Sequence, residues 1–118
     1  MNYQETFDKV VAHLMAQGCQ ALNEGSDEYC RYRGENGTKC AVGALITDGA
    51  YTEELENKIV RDDPVIDALK ASGVFKRATP KAVEFLSDLQ VIHDSNFAEE
   101  WPEELQIFAD NNNLELKL

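Results

Sequence analysis

Residues 29–46, YCRYRGENGTKCAVGALI, decide the fold class, because they read as extended structure in a chain whose remainder reads as helix. The run YCRYR has the aromatic content and the alternation of a strand. Asn36 followed by Gly37 is the strongest short signal for a hairpin turn, and residues 38–42 could then return as a second strand. From about Cys40 onward the short apolar run leaves strand and short helix both open. The sequence therefore predicts one small β-hairpin at about residues 29–42.

Helical patterns surround this hairpin on both sides. Apolar residues at steps of three and four predict a helix over residues 3–23. Thr79 as N-cap and Pro80 in the first helical position open a second long helix. Further helices are expected over residues 53–58, between Asp62 and Gly73, and over residues 98–111. The predicted fold class is α+β: a mostly helical single domain over residues 1–118, with four or five helices and the hairpin.

The chain has 118 residues, a length typical of one domain, and a formal net charge of −11. Self-repulsion of this size disfavours contact with nucleic acid or anionic lipid, so direct nucleic-acid binding and membrane association are not expected. No apolar run approaches the roughly 20 residues of a membrane span, and the start lacks the apolar core of a signal peptide. A cytoplasmic protein is the resulting expectation.

The charge is unevenly distributed along the chain. Residues 82–118 hold nine acidic side chains and one lysine, a net charge of −8, whereas residues 29–46 carry a net charge of +2. Four of the acidic residues form two neighbouring pairs: Glu99, Glu100, Glu103 and Glu104. These glutamates predict either a solvated helix face or a surface that binds a basic partner.

Three basic residues and one His-Asp pair are the candidate binding residues. On a strand, Arg31 and Arg33 would share one face, where two guanidinium groups can grip a phosphate or a carboxylate, with Lys39 nearby. The excess of acidic residues offers the alternative that these arginines pair within the chain. His93 beside Asp94 invites an acid–base role. However, His93 also continues the apolar stripe of its helix and suits the dipole at a helix C-terminus.

The three cysteines raise the question of a metal site. Cys19, Cys30 and Cys40 could hold zinc together with His13 or His93, but their spacings lack a C-x-x-C knuckle. A Cys30–Cys40 disulfide is disfavoured, because neither hairpin register that we consider places the two residues opposite each other. We predict free thiols, no metal and no cofactor. No serine, cysteine or second histidine completes a triad, so no catalytic residue is predicted either.

The sequence resembles a set of small uncharacterised proteins of bacteria and tailed bacteriophages. Their shared pattern runs Cys-x-Tyr-Arg, a glycine-containing turn, Lys-Cys-Ala-Val-Gly-x-Leu-Ile, and later a Leu-Gln-x-x-His-Asp helix before a last helix with Trp. The matching positions here are Cys30, Tyr32, Arg33, Gly37, residues 39–46, Leu89, Gln90, His93, Asp94 and Trp101. A Pro-Asp-Glu turn follows the octet in that set, whereas this chain has Thr47, Asp48 and Gly49. The resemblance supplies no activity, but it implies that the hairpin and the helix end at Asp94 belong to one ensemble.

These observations predict a small acidic, non-catalytic interaction protein, linked to a phage or prophage, that binds or inhibits a host macromolecule in the host cytoplasm. Mimicry of nucleic acid by the acidic surface is one version of this function, and the expected partner is a host or phage protein. The first alternative is a small enzyme or ligand-binding domain that uses Arg31, Arg33, Lys39 and His93. The second alternative is a structural domain stabilised by a metal ion.

Overall fold

The computed structural model describes residues 1–22 and 30–117, and this part of the chain is helical. The four helices are α1 (Tyr3–Gln17), α2 (Asp63–Ala71), α3 (Pro80–Ser95) and α4 (Trp101–Asn111). Single 3₁₀ turns occupy Glu35–Gly37, Gly43–Leu45, Glu53–Leu55 and Ala98–Glu100. The Cα radius of gyration is 13.2 Å, as expected for one folded unit of this length. None of the helices described is long and apolar enough to cross a membrane.

The helix starts follow from local capping. The Thr79 hydroxyl accepts a hydrogen bond of 3.2 Å from the Ala82 N–H, so the predicted start of α3 is confirmed. The C-terminal end predicted for α1 is wrong, because the helix ends at Gln17 rather than at residue 23. Gly18 adopts a left-handed conformation (φ 67°) and its N–H donates to the Leu14 carbonyl, which closes the last turn.

Aromatic side chains join α1, α3 and α4 into one core. Phe7 stacks on Phe108 with ring centroids 5.5 Å apart, and Phe85 meets Phe108 edge-on at 5.1 Å. Tyr3 extends the cluster by a T-shaped contact of 4.8 Å with Phe85. Each such pair contributes about 1 kcal/mol beyond the area it buries. These contacts fix α3, the helix that carries His93, against the two terminal helices.

A buried segment without regular strands lies against α3. Residues 40–42 are fully buried, and the Val42 N–H donates a hydrogen bond of 2.9 Å to the Gln90 side-chain oxygen. The Cys30 thiol lies 3.9 Å from the carbonyl oxygen of Asp94, at the end of the same helix. The packing of this segment against the end of α3, which the resemblance implies, is therefore present in the structure.

The predicted hairpin at residues 29–42, and with it the α+β fold class, is wrong. Within the described residues the pairing is limited to isolated bridges, one of which joins Arg33 to Lys39. The turn itself forms as predicted, since Asn36 and Gly37 have φ of 57° and 75°, both in the left-handed region. Tyr29, the first residue of the predicted hairpin, lies outside the described residues.

Among the described residues, the two segments of the predicted hairpin share only two backbone hydrogen bonds, from the Gly34 N–H to the Thr38 carbonyl at 2.9 Å and from the Cys40 N–H to the Tyr32 carbonyl at 3.3 Å, because Glu56 takes up other N–H groups of the first segment. The N–H groups of Tyr32 and Arg33 donate to the two carboxylate oxygens of Glu56, at 3.1 and 3.2 Å. On the return side, Val42 is already in helical conformation and leads into a 3₁₀ turn. Gly43 packs so closely that a Cβ there would collide with the Tyr32 carbonyl oxygen. The chain therefore curls over its first segment instead of pairing along it.

The helix predicted over residues 53–58 is shorter in the structure than expected. Only Glu53–Leu55 forms a 3₁₀ turn, and Asn57 then adopts positive φ (65°), which ends the helical path. This interruption places Glu56 beneath the segment at residues 31–33 and leaves residues 57–61 as an irregular loop.

Candidate functional site

Arg31 is engaged with acidic residues of its own chain. One terminal nitrogen of its guanidinium lies 2.9 and 2.7 Å from the two carboxylate oxygens of Glu53, and 3.7 Å from Glu56. The Arg31 side chain is about three-quarters buried against these partners. The internal pairing left open by the sequence is therefore what the structure shows for Arg31.

Arg33 is engaged in the same way but with different partners. Its guanidinium pairs with Asp48 at 2.8 Å, donates to the Ile46 carbonyl at 3.0 Å and lies 4.5 Å from the ring centre of Tyr51. The two arginines thus turn towards different acidic partners. They do not present two parallel guanidinium groups on one strand face.

Glu56 is the residue that holds this region together. Its side chain is only 9% exposed, and its carboxylate accepts hydrogen bonds from the Tyr32 and Arg33 N–H groups and, at 2.7 Å, from the Tyr51 hydroxyl. Burial, and then the hydrogen bond to Glu56, raises the pKa of Tyr51 to about 12. We call Glu56 with Arg31, Tyr32, Arg33 and Tyr51 the Glu56 cluster.

Lys39 lies apart from both arginines' partners and is held by α1. Its N–H donates to the Gln17 side-chain oxygen at 2.8 Å, and its carbonyl accepts hydrogen bonds of 2.9 Å from Gln17 and His13. These contacts fix the main chain of Lys39 on the face of α1. The predicted binding residues Arg31, Arg33, Lys39 and His93 are therefore not joined in one pocket.

His93 is fully buried and both of its ring nitrogens are engaged. The Ala21 N–H donates to Nε2 at 3.1 Å, so Nε2 carries no proton. Nδ1 must then carry the proton that it donates to the Asp94 carboxylate at 2.7 Å. The ring also stacks on Trp101, with centroids 5.5 Å apart. In this state His93 is neutral, and it serves as a structural link between α3, α4 and the chain after α1.

Asp94 is the polar group that this network orients. Its Oδ1 accepts hydrogen bonds from His93 Nδ1 and, at 2.8 Å, from Gln90 Nε2. Gln90 is itself fixed by the Val42 N–H. The Asp94 side chain is 40% exposed, and the half-buried Cys30 thiol also interacts with its carboxylate. Two fixed donors thus orient a carboxylate that stays partly exposed.

Asp94 lines a cavity of about 260 Å³ between the loop at residues 56–61 and α3. Ile59 and Val91 line it as well, and they are unusually exposed for aliphatic residues, at 62% and 54%. The other lining residues are Cys30, Arg31, Tyr32, Glu56, Asn57, Lys58, Val60, Arg61, Ser87 and Gln90. The cavity therefore combines aliphatic walls with one oriented carboxylate.

The cluster of Cys30, His93 and Asp94 has the residue types of a metal site. Their ligand atoms lie within 4.8 Å of one another. However, neither ring nitrogen of His93 has a free lone pair in this arrangement. Burial, and then the negative charge of Asp94, raises the pKa of Cys30 to about 12, so the thiol keeps its proton at neutral pH. A metal ion here would have to displace one of the two His93 hydrogen bonds and the proton of the Cys30 thiol.

The cysteines carry free thiols in three different settings. Cys19 is exposed, Cys30 is half-buried and Cys40 is buried, with no disulfide among them. The Gly43 N–H donates to the Cys40 sulfur at 3.2 Å, which gives this thiol a local packing role.

The predicted acidic surface lies at the start of α4. We use this name for Glu99, Glu100, Glu103 and Glu104, of which the first three are exposed and the fourth is half-buried. Within the described residues none of the four forms an ion pair; Glu100 alone accepts a hydrogen bond, from the Phe97 N–H at 3.1 Å. Phe97 is 69% exposed, more than any other large apolar residue described.

Sequence reasoning missed Glu56, Ile59 and Val91. Glu56 had the pattern of an exposed helical glutamate, and nothing local indicates that its partners lie 23 and 24 residues earlier. Val91 interrupts the apolar stripe of α3 on the opposite face, which is a weak signal that the sequence does contain. Comparison with known proteins gives no matching family model, no similar curated protein and no similar solved structure. The resemblance described above therefore rests on its motif residues alone.

Proposed function

We propose that this chain is a non-catalytic interaction protein whose acidic surface binds a basic protein. The observation that carries the proposal is the position of Phe97 beside Glu99 and Glu100. An aromatic side chain this exposed, bordered by carboxylates without ion-pair partners in the described chain, has the composition of an interface: an apolar anchor with a charged rim. The resemblance to phage proteins supports a partner from the host cell.

The distribution of charge gives the proposal its electrostatic basis. The net charge of −11 attracts a basic partner over long range, and carboxylates in the rim accelerate association more than they strengthen the final complex. The arginines that would oppose this attraction are paired with acidic residues of the chain. If the partner normally binds nucleic acid, the acidic surface acts as a mimic of phosphates, and duplex DNA would compete for the same partner.

A pull-down from bacterial lysate with two matched variants tests the proposal. The first variant neutralises the acidic surface as Glu99→Gln, Glu100→Gln, Glu103→Gln and Glu104→Gln. The control neutralises four exposed acidic residues elsewhere: Glu54→Gln, Asp67→Asn, Glu84→Gln and Asp88→Asn. Both variants change the formal net charge from −11 to −7, because each loses four negative charges.

We expect the partner captured by the wild-type chain to be lost with the first variant and retained with the control. Capture should weaken at high salt, because rim charges are screened. Phe97→Ala should weaken binding of the isolated partner about 30-fold, as for a central aromatic anchor. Equal loss with both neutralised variants would mean that total charge matters and the position does not, which would reject this surface as the interface.

A further inference from the structure

The cavity between α3 and the loop at residues 56–61 has no part in the proposed function. Its exposed aliphatic walls and its volume are both typical of a small-molecule site. Two of the four large apolar residues that are exposed in the described chain, Ile59 and Val91, line this one cavity. A volume of about 260 Å³ is close to the lower end of small-molecule pockets and suits a ligand of six to ten heavy atoms, a rough figure. Because the walls are aliphatic, they favour a ligand with an apolar body.

The polar group of this cavity is an acceptor held in place from behind. His93 Nδ1 and Gln90 Nε2 both donate to Asp94 Oδ1, and each of these side chains is anchored by a further hydrogen bond to the main chain. The carboxylate is 40% exposed and belongs to the wall of the cavity. A carboxylate fixed in this way recognises a donor with little ordering cost, because its geometry exists before the ligand arrives.

The remaining charged residues of the wall do not supply a comparable site for an anion. Arg31 is bound to Glu53 and Glu56, and Glu56 is saturated by its own donors. Arg61 is exposed, so its guanidinium can stay in water while its stem lines the wall. Lys58 likewise carries its charge on a flexible stem. The acidity of the whole chain also favours the approach of a cation.

We propose that this cavity binds a primary ammonium group on a short aliphatic stem, with the Asp94 carboxylate accepting from the ammonium and Ile59 and Val91 flanking the stem. Two sources offer this chemistry: a free alkylamine or polyamine, and the lysine side chain of a bound protein. The proposal stands independently of the acidic surface, because none of the residues of that surface lines the cavity.

Titration of the ¹⁵N-labelled full chain with hexylammonium at pH 7 tests the proposal. We expect saturable amide shifts at Ile59, Val91 and Asp94, with a dissociation constant on the order of 1 mM for so small a ligand. Hexanoate and hexanol are the matched probes with the same stem. Shifts of equal size with hexanol, or stronger binding of hexanoate, would overturn the assignment.

Variants distinguish the contribution of the Asp94 carboxylate to affinity from that of the other residues in the cavity wall. Asp94→Asn keeps an oxygen for His93 and Gln90 but removes the negative charge and replaces the second oxygen by a donor, so affinity for hexylammonium should fall about tenfold. Asp88→Asn, an exposed aspartate of α3 outside this cavity, should leave it unchanged. Arg61→Gln should leave affinity equal or raise it. A loss of hexylammonium binding with Arg61→Gln would contradict the proposal, because removing a positive charge from the wall should not weaken the binding of a cation.

A second variant covers the case in which Asp94→Asn perturbs the fold. Val91→Lys places a positive charge on the exposed wall, and it should weaken hexylammonium binding and strengthen that of hexanoate; unchanged affinities would contradict the proposal. Titration with N-acetyl-lysine-N-methylamide distinguishes the two sources of the ammonium group, a free amine and a lysine side chain of a bound protein. Binding of this compound as strong as that of hexylammonium supports a lysine of a partner, and weaker binding supports a free amine.

Discussion

The Glu56 cluster and the acidic surface are both rich in charge, yet they use it in opposite ways. In the cluster the Glu56 carboxylate is 9% exposed and accepts three hydrogen bonds, with Arg31 at 3.7 Å. In the acidic surface the glutamates are mostly exposed and form no ion pairs within the described chain. The comparison teaches that the arginines at positions 31 and 33, which the sequence offers either as binding residues or as internal partners, are paired within the chain, whereas the acidic surface keeps its charge exposed.

The first test removes the central carboxylate of the cluster. Glu56→Gln keeps the size of the side chain but turns an amide donor towards N–H groups that need an acceptor. We expect the free energy of unfolding to fall by about 3 kcal/mol, the scale for a buried charge network that loses one member. Urea denaturation measures this change. Glu54→Gln, an exposed neighbour, is the control and should stay within about 0.5 kcal/mol.

A loss below about 1 kcal/mol for Glu56→Gln would remove the contrast between the two regions. It would mean that the Tyr32 and Arg33 N–H groups find another acceptor, and that residues 30–34 are held by their other contacts. Among those contacts, the bridge between Arg33 and Lys39 would be the first candidate for what holds this segment in place.

The position of Glu56 also explains which part of the fold the sequence could predict. The start of α3 and the turn at Asn36 are local, since capping and turn preferences depend on neighbouring residues. The hairpin was mispredicted because an extended run needs partners for its N–H groups, and the identity of those partners is not local. Alternation of residue types can indicate an extended segment, but it cannot tell a neighbouring strand from a buried carboxylate.

The candidate site also has one part that local sequence predicts and one part that depends on distant residues. The acidic surface was predictable, because carboxylates clustered in a short stretch at the start of a helix remain exposed unless a cation is near. The Asp94 cavity was not, because its walls come from residues 30–32, residues 56–61 and α3, which only the folded chain brings together. His93 was correctly seen to continue an apolar stripe, but its link to Ala21 spans 72 residues.

The second test concerns His93, which connects the cavity to the core. His93→Phe retains an aromatic ring against Trp101 but leaves the Ala21 N–H buried without an acceptor. The expected loss is about 2 kcal/mol in the free energy of unfolding, measured by urea denaturation. Long-range ¹H–¹⁵N spectra of the wild-type imidazole should show the proton on Nδ1. A proton on Nε2 would contradict the hydrogen bond from Ala21.

The third test uses pH, because the buried segment contains Cys40, which is fully buried. Burial raises the pKa of this thiol above its ordinary value of 9.0. The unfolded chain therefore releases the proton first as pH rises above about 9, and the folded state loses stability until its own pKa is passed. We expect about 1 kcal/mol of loss from Cys40 between pH 9 and pH 10.

Urea denaturation of the wild type and of Cys40→Ala across this pH range isolates the contribution of Cys40. The variant should show a shallower decline in the free energy of unfolding, whatever its stability at pH 7. The half-buried Cys30 and the tyrosines Tyr32 and Tyr51, whose pKa values burial also raises, contribute to the decline in both proteins. Parallel declines in the two proteins would show that the Cys40 thiol ionises in the folded state.

The fourth and smallest effect belongs to the acidic surface. Neutralising its four glutamates together should change the free energy of unfolding by less than about 1 kcal/mol, because two contributions oppose each other. Glu103 and Glu104 interact favourably with the dipole at the start of α4, whereas Glu99 and Glu100 each repel the carboxylate four residues later. Urea denaturation at low salt and in 1 M NaCl measures the balance, with the four-residue control variant beside it. A loss near that of Glu56→Gln would mean that these carboxylates also serve the fold, and the exposed face of α4 would no longer be the part of the molecule whose charge is free for a partner.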